Sequence, residues 1–189
     1  MSGGRRRRGA GDGRAPRPDV AADRDADPYA VARGIVLNQL STRARSRAEL
    51  ATKLASRNVP DEVATEVLDR MEQINLVDDG AFASEWVRSR HRSRGLAGRA
   101  LTAELRRKGV DDEVTRVALE QLDPDIEVAT ARELVVRRMR ATRGLDRQVR
   151  IRRLAGMLAR KGYPGGMAMA VVREALAAEG QEVDDLLPG

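Results

Sequence analysis

The sequence predicts an all-α fold in which nine helices form three tandem three-helix repeats. The first observation behind this prediction is composition, because 28 of the 189 residues are alanine and only 2 % are aromatic. Alanine, leucine, arginine and glutamate are good helix formers, whereas the aromatic and β-branched residues that suit β-sheets are scarce. The second observation is a short motif that recurs at offsets of 51 and 53 residues.

The recurring motif marks the end of the second helix in each predicted repeat. Its copies read KLASRNV from residue 53, ELRRKGV from residue 104 and MLARKGY from residue 157. Each copy places Asn or Gly where a helix C-terminus needs a left-handed residue, followed by a hydrophobic residue that packs back on the last turn. Two leucines four residues apart accompany every copy, and we expect all six to be core residues: Leu50, Leu54, Leu101, Leu105, Leu154 and Leu158.

The first repeat covers residues 28–77. Apolar residues at helical spacing predict its first helix over 28–41. Ser46, with Glu49 three residues later, is typical of a capping box and therefore begins the second helix. Pro60 suits the first position of the third helix.

The second repeat covers residues 78–122, and the third covers 123–179. Their first helices are predicted over 79–92 and 124–141, ahead of the recurring motif. A unit of about 50 residues buries little apolar surface alone, so we expect the three units to pack against one another.

Five residues around the first helix of the second repeat bear on function. Phe82 and Trp86 lie four residues apart, which predicts that both are core residues. Asp78 and Asp79 precede the helix, where the helix dipole favours acidic residues, and we prefer this interpretation to a metal site. His91 stands in an arginine-rich run with no companion ligand, and we expect it on the surface.

Residues 1–27 and 180–189 are expected to be disordered tails. The N-terminal tail contains seven Arg, five Asp and no apolar periodicity, so it cannot bury enough surface to offset the entropy of ordering. A weak nucleic-acid-binding arm and a solubilising leader are equally good interpretations of it. The run Arg5–Arg8 is not followed by an apolar stretch, so we expect no export signal.

The net charge of +6 is strongly segregated along the chain. Residues 85–109 carry +6 and residues 132–161 carry +9, whereas residues 1–27 carry +2 and all the others together carry −11. This alternation favours a partner with regularly spaced negative charge, of which nucleic acid is the first choice. A solvated helix surface is the alternative, because the excess of 32 Arg over 3 Lys can equally reflect genomic base composition.

The sequence argues against several classes of function. With no Cys and one His, we expect no thiol chemistry, disulfide framework or Cys/His zinc site. The P-loop and G-x-S-x-G motifs are absent, as is any apolar run of roughly 18 residues. We therefore expect a soluble, intracellular protein that is not an enzyme and has no catalytic residues or metal site.

Two stretches resemble the bacterial RecX family of regulatory proteins. One is NLVDDGAFASEWVRSRHRSRG from residue 75, followed by ALTAELRRKGV, and the other is SRAELATKLASRNVPDEVATEVLDRM from residue 46. The resemblance covers residues 28–179, roughly, and its middle part is the most specific. Trp86 stands where Tyr is common in the family. Gly95 keeps the usual glycine, but the lysine that often precedes this glycine in the family is absent.

The resemblance implies a fold and a function. RecX-like proteins consist of three-helix repeats in an elongated, curved array. They bind the RecA recombinase filament on single-stranded DNA and inhibit its ATPase and strand-exchange activities, which modulates recombination and DNA repair in the SOS response. They also bind DNA, need no cofactor and act in the cytoplasm. We accordingly expect the RecA filament and single-stranded DNA as partners, and binding of double-stranded DNA stays open. We also expect a monomeric chain and no membrane.

Basic residues of the second and third repeats are the expected contacts with RecA or DNA. Not all of them face one side, because Arg88 and Arg92 share a helix face from which Arg90 points away. In the second repeat the candidates are Arg88, Arg90, Arg92, Arg94, Arg106, Arg107 and Lys108. In the third they are Arg137, Arg138, Arg140, Arg150, Arg152 and Arg153.

The principal alternative is a DNA-binding helical-repeat protein that affects RecA only by competing for DNA. The charge pattern alone favours neither function, and the family resemblance favours the modulator. Whether such a modulator caps filament ends or lies in the filament groove is left open by the sequence.

Overall fold

The computed structural model describes the backbone of residues 27–185 and the side chains of residues 27–180. This part contains nine α-helices and no strand, which confirms the all-α prediction. The helices are α1 (Pro28–Leu40), α2 (Arg47–Ala55), α3 (Asp61–Gln73), α4 (Asp79–Arg94), α5 (Gly98–Arg107), α6 (Asp112–Glu120), α7 (Pro124–Met139), α8 (Arg147–Arg160) and α9 (Gly165–Asp185). A short 3₁₀ helix, Arg140–Thr142, prolongs α7.

The predicted tails fall largely outside the described residues. Asp27 is the only described residue of the N-terminal one, and its side chain caps α1 by accepting a hydrogen bond from the N–H of Tyr29 at 3.0 Å. At the other end, α9 runs on to Asp185, past the predicted end of the third repeat at residue 179. Residues 186–189 lie outside the described part.

Three successive helices form each unit, which confirms the tandem repeat. Unit 1 contains α1–α3, unit 2 contains α4–α6 and unit 3 contains α7–α9, and the extensive helix packing lies within these units. Each unit has its own hydrophobic core, to which two leucines of its second helix contribute. All six leucines are at most 1 % exposed: Leu50, Leu54, Leu101, Leu105, Leu154 and Leu158.

The ends of the second helices follow the sequence prediction. Ser46 caps α2 by accepting from the N–H of Glu49, and the Glu49 carboxylate accepts from the N–H of Ser46, so the capping box is confirmed. The left-handed residues are also confirmed, because φ is 57° at Asn58, 70° at Gly109 and 93° at Gly162. Each reverses the direction of the chain, so that the following hydrophobic residue packs against the end of the preceding helix.

Neighbouring units are joined by a hydrogen bond to the carbonyl group just before the left-handed glycine. In the first joint, the Ser46 hydroxyl of unit 1 donates to the carbonyl oxygen of Lys108 in unit 2 at 2.6 Å. In the second joint, the N–H of Ala97 in unit 2 donates to the carbonyl oxygen of Lys161 in unit 3 at 2.8 Å. Both donors belong to N-cap residues of second helices, so the two joints have the same construction.

A second hydrogen bond recurs beside the first. The N–H of Arg47 donates to a carboxylate oxygen of Asp79 at 2.8 Å, and the N–H of Gly98 donates to one of Glu127 at 3.2 Å. These amides lie in the first turn of α2 and α5, where the helix itself offers no acceptor. Each acid lies near the start of the next unit's first helix, so Asp79 serves a joint between units, whereas Asp78 caps its own helix through the N–H of Ala81.

The left-handed residue has to be glycine only where two units meet. A Cβ atom on Gly109 would lie 2.3 Å from the Cβ of Ala48, and one on Gly162 would lie 2.3 Å from the backbone nitrogen of Ala100. Asn58 occupies the same position in unit 1, where no described unit precedes it, and its side chain is exposed. The joints therefore impose glycine at two of the three positions.

Replacing Gly162 by alanine is expected to destabilise the protein by more than about 2 kcal/mol, because the new Cβ combines a disfavoured φ with a clash against unit 2. Equilibrium unfolding in urea checks this. The control is Gly165→Ala at the start of α9, where no atom lies within 4 Å of the added Cβ, and we expect a change within about 1 kcal/mol. Equal effects of the two substitutions would contradict the close approach at Gly162.

Candidate basic interface

Most basic residues of unit 2 are paired with carboxylates of the protein itself. Arg88 contacts Glu85 at 2.8 Å, and Arg106 contacts Asp112 at 3.0 Å. Glu104 lies between two further candidates, 3.5 Å from Arg90 and 3.9 Å from Arg94. Arg92 and Arg107 are exposed and form no ion pair within the described residues.

Lys108 lies in the joint between units 1 and 2, where its side chain is only 16 % exposed. Its ammonium group is 2.9 Å from a carboxylate oxygen of Glu49 in unit 1. The same group lies 4.3 Å from the ring centre of Trp86 and 5.7 Å from that of Phe82, so cation–π attraction adds to the ion pair. The structure thus gives this predicted contact residue a role inside the fold.

Trp86 lies at the edge of the unit 2 core. Phe82 is buried as predicted, and the two rings stack with their centres 5.7 Å apart. Trp86 is only half-buried, because its indole N–H donates to Glu104 at 2.8 Å and the guanidinium of Arg90 covers its ring at 4.1 Å. Trp86 thus packs against the core, as predicted, but as a partly buried residue that separates the core from a charged cluster.

Glu49 combines two functions, as a helix cap and as the acceptor for Lys108. Burial alone would raise the pKa of its carboxyl, but hydrogen bonds from Lys108 and Arg43 outweigh burial, and the net pKa lies below the ordinary value. The folded state therefore favours the charged carboxylate, and the joint between units 1 and 2 is strongest when Glu49 is ionised.

The predicted surface position of His91 is wrong, because the residue is 7 % exposed. Its Nδ1 lies 2.9 Å from the carbonyl oxygen of Leu96, to which it donates, and its Nε2 lies 3.1 Å from the hydroxyl oxygen of Thr130 in unit 3. His91 therefore belongs to the second joint. A sequence pattern reveals its burial, because it follows Ala83 and Val87 at intervals of four on the buried face of α4.

A groove of about 850 Å³ runs along this second joint, between α4 and α7. Arg88, Arg92 and Arg137 share its rim with Glu133, which lies 3.9 Å from Arg137. Ile126 adds an apolar side chain that is 54 % exposed. The groove thus presents apolar surface between charges of both signs, a composition typical of protein-binding surfaces.

One candidate of unit 3 also has a role inside the fold. Arg150 is 16 % exposed, forms an ion pair with Glu179 of α9 and donates to the hydroxyl of Thr142 at 3.3 Å. Arg143 reaches the same carboxylate at 3.1 Å. Burial alone would raise the pKa of Glu179, but the two guanidinium groups hold it below the ordinary value.

Several other arginines of unit 3 line a second groove, of about 620 Å³, between α8 and the end of α7. Four guanidinium side chains line it, no acidic residue does, and none of the four forms an ion pair within residues 27–180. They are Arg138, Arg152, Arg153 and Arg160. Arg140 is exposed nearby and is likewise unpaired in the described part.

Sequence reasoning missed Arg160, although its spacing could have identified it. Arg153 and Arg160 are seven residues apart on α8, and this interval returns to the same helix face.

Among the described side chains, no group of acidic or histidine residues could hold a metal ion, and no described helix is long and apolar enough to cross a membrane.

Three family models match the chain in succession. The first three-helix domain of RecX matches residues 32–71, the second matches 78–119 and the third matches 125–172. Each matched segment lies within one of the three units.

Named relatives cover most of the chain. Regulatory protein RecX of Streptomyces coelicolor is 56 % identical over 160 residues, which are 85 % of each chain. Regulatory protein RecX of Thermobifida fusca is 53 % identical over 177 residues, covering 88 % of this chain and 96 % of the relative. The crystal structure of RecX from Lactobacillus salivarius has a similar fold, with a TM-score of 0.75 at 20 % identity over 79 % of this chain and 97 % of that one.

Replacing Glu49 by glutamine is expected to lower the free energy of unfolding at pH 7 by about 1–3 kcal/mol, because Lys108 then lies buried without a carboxylate. The pKa of Glu49 is lowered in the folded state, so its contribution is present above its ordinary value of 4.5 and is lost as pH falls further. The variant should therefore lose less stability than the parent between pH 7 and about pH 3.

Urea unfolding at both pH values checks this prediction. Glu113→Gln serves as the control, because Glu113 forms a fully exposed ion pair with Arg116 and should matter little. If both variants behaved alike at the two pH values, the joint role of Glu49 would be refuted.

Proposed function

The chain belongs to the RecX family, and on that premise we propose that it binds the RecA recombinase filament on single-stranded DNA. Binding inhibits the ATPase and strand-exchange activities of RecA and so modulates recombination and DNA repair in the SOS response. Three matching family domains and two relatives named as regulatory proteins at 53 % and 56 % identity support this proposal.

The serial arrangement of the units is the structural observation that carries the proposal. Within the described residues, the extensive packing stays inside units, and the hydrogen-bonded joints link only consecutive ones. A row of linked units can reach along a filament and contact more than one of its subunits, whereas a single compact core could contact fewer. Contacts with neighbouring subunits would hold their relative positions and so oppose the cycle of ATP hydrolysis.

The groove between α4 and α7 suits the protein part of this partner. Its rim carries charges of both signs, and its apolar residues favour a protein surface over a nucleic acid backbone. Arg88, Arg92 and Arg137 are therefore the candidates that we assign to RecA. Each is exposed at this rim.

The family role requires no chemistry from the chain. We propose that it acts as a non-catalytic, monomeric regulator in the cytoplasm, without a cofactor. The alternative is a DNA-binding repeat protein that competes with RecA for DNA, and the four-arginine groove of unit 3 favours a nucleic acid contact of this kind.

RecA ATP hydrolysis on single-stranded DNA distinguishes the two functions. Added in amounts too small to cover the DNA, the protein should inhibit hydrolysis, because each bound molecule acts on the filament and not on bare DNA. If inhibition required DNA saturation and disappeared with the steep salt dependence of counterion release, the competition function would replace the proposed one.

Removing residues 1–26 tests the N-terminal tail while keeping the Asp27 cap of α1. Helix content by circular dichroism and inhibition of RecA should both be unchanged, because the proposed contacts lie in units 2 and 3. A large loss of inhibition with intact helix content would instead make the tail a contact.

A further inference from the structure

We propose that the exposed end of unit 3 is a binding site for the phosphate groups of a nucleic acid strand. The site is the four-arginine groove of unit 3, formed by Arg138, Arg152, Arg153 and Arg160. It deepens the nucleic acid contact named above, because it requires no recombinase and places that contact at one end of the array.

The repeat itself shows which face of unit 3 is involved. In units 1 and 2, the start of the second helix receives the following unit: Ala48 faces Gly109 and Ala100 faces Gly162. The described part contains no unit beyond unit 3, and the corresponding residues of α8, Arg152 and Arg153, are exposed. The corresponding surface contacts a neighbouring unit at both joints and is exposed in unit 3.

The side chains on this face change in unit 3. We align the units on the first core leucine of each second helix and compare the two preceding residues. The two residues before this leucine are Ala48 and Glu49 in unit 1, Arg99 and Ala100 in unit 2, and Arg152 and Arg153 in unit 3. The alanines that allow close approach of another unit are therefore absent from unit 3.

The charge at this position is also reversed. Glu49 accepts the ammonium group of Lys108 at 2.9 Å, whereas the equivalent residue in unit 3 is Arg153. A guanidinium group would repel an incoming lysine and attract an anion instead. The face that receives a protein unit elsewhere is rebuilt in unit 3 for a negatively charged ligand.

The arginines of the groove are arranged in a row along α8 and do not surround a single point. Val149, Arg153, Met157 and Arg160 follow one another at intervals of four, four and three along α8, which places them on one stripe. Arg153 and Arg160 are separated by about 10 Å along the helix axis. This is about three times the 3.4 Å axial spacing of charges in one strand of a DNA duplex, so both can contact the same strand.

The chemistry of the lining favours phosphate over protein carboxylates. A guanidinium group binds phosphate through two parallel hydrogen bonds, and four of them gather here with no acidic residue to neutralise them. A nucleic acid backbone supplies the matching density of negative charge, whereas clustered carboxylates on a protein repel one another. In unit 2 the situation differs, because Arg88 and Arg106 already contact carboxylates of their own unit.

The test measures binding of a fluorescent single-stranded oligodeoxythymidylate by anisotropy over a range of KCl concentrations, with no recombinase present. Arg153→Gln/Arg160→Gln should weaken binding by about tenfold or more, and the slope of log K against log salt should become shallower by about 1.4 for two lost contacts. The matched control is Arg116→Gln/Arg132→Gln, which removes two exposed arginines that are ion-paired with Glu113 and Glu174. It should change binding by less than about threefold.

Two additional measurements keep the result specific. The double lysine variant, Arg153→Lys/Arg160→Lys, retains the charge but not the paired hydrogen bonds, and it should bind with intermediate affinity. Circular dichroism of the glutamine variant should be unchanged, because both side chains are exposed.

Three outcomes would overturn the proposal. Equal losses in the two glutamine variants would indicate a diffuse charge effect. Displacement of the strand by inorganic phosphate, compared with chloride at the same ionic strength, would make the groove a small-anion site. Normal strand binding by Arg153→Gln/Arg160→Gln, with loss of RecA inhibition, would assign the groove to the recombinase. Failure of the parent protein to inhibit RecA would refute only the proposed function, because strand binding is measured separately.

Discussion

The carbonyl group that precedes the left-handed glycine is the group on which the array depends. It accepts a hydrogen bond from the preceding unit at both joints, through Lys108 and through Lys161. The glycine turns the chain so that this carbonyl points outward, and its missing side chain lets the two backbones approach. Without that approach, the adjacent hydrogen bonds to Asp79 and Glu127 would also be lost, because they lie in the same contact.

The elements could be predicted from the sequence because their determinants are local. Helical spacing, the Ser46 capping box and the glycines each act over a few residues, and the structure has them where the pattern indicated. The joints could not be predicted, because nothing local shows that the Ser46 hydroxyl meets a carbonyl 62 residues away. His91 was missed for a different reason, since its arginine-rich neighbours concealed the buried helical face on which it lies.

The candidate site was predictable in outline and not in detail. Summed charges located two basic segments, but a sum does not distinguish a guanidinium facing solvent from one that neutralises a carboxylate. Arg150 and Lys108 are engaged inside the fold, whereas Arg160 faces the groove. Burial thus separates the basic residues that stabilise the array from the exposed ones that can act on other molecules.

Asn58 has a consequence for how separate molecules behave in solution. A protein made of repeats that dock head to tail is at risk of open-ended polymerisation, in which the first unit of one molecule occupies the last unit of another. Asn58 stands at the first unit's equivalent of Gly109 and Gly162, where a Cβ atom would clash with the neighbouring unit, and its own side chain is exposed. Asparagine in place of glycine at this position therefore disfavours the docking of one molecule onto another by the contact that joins the units.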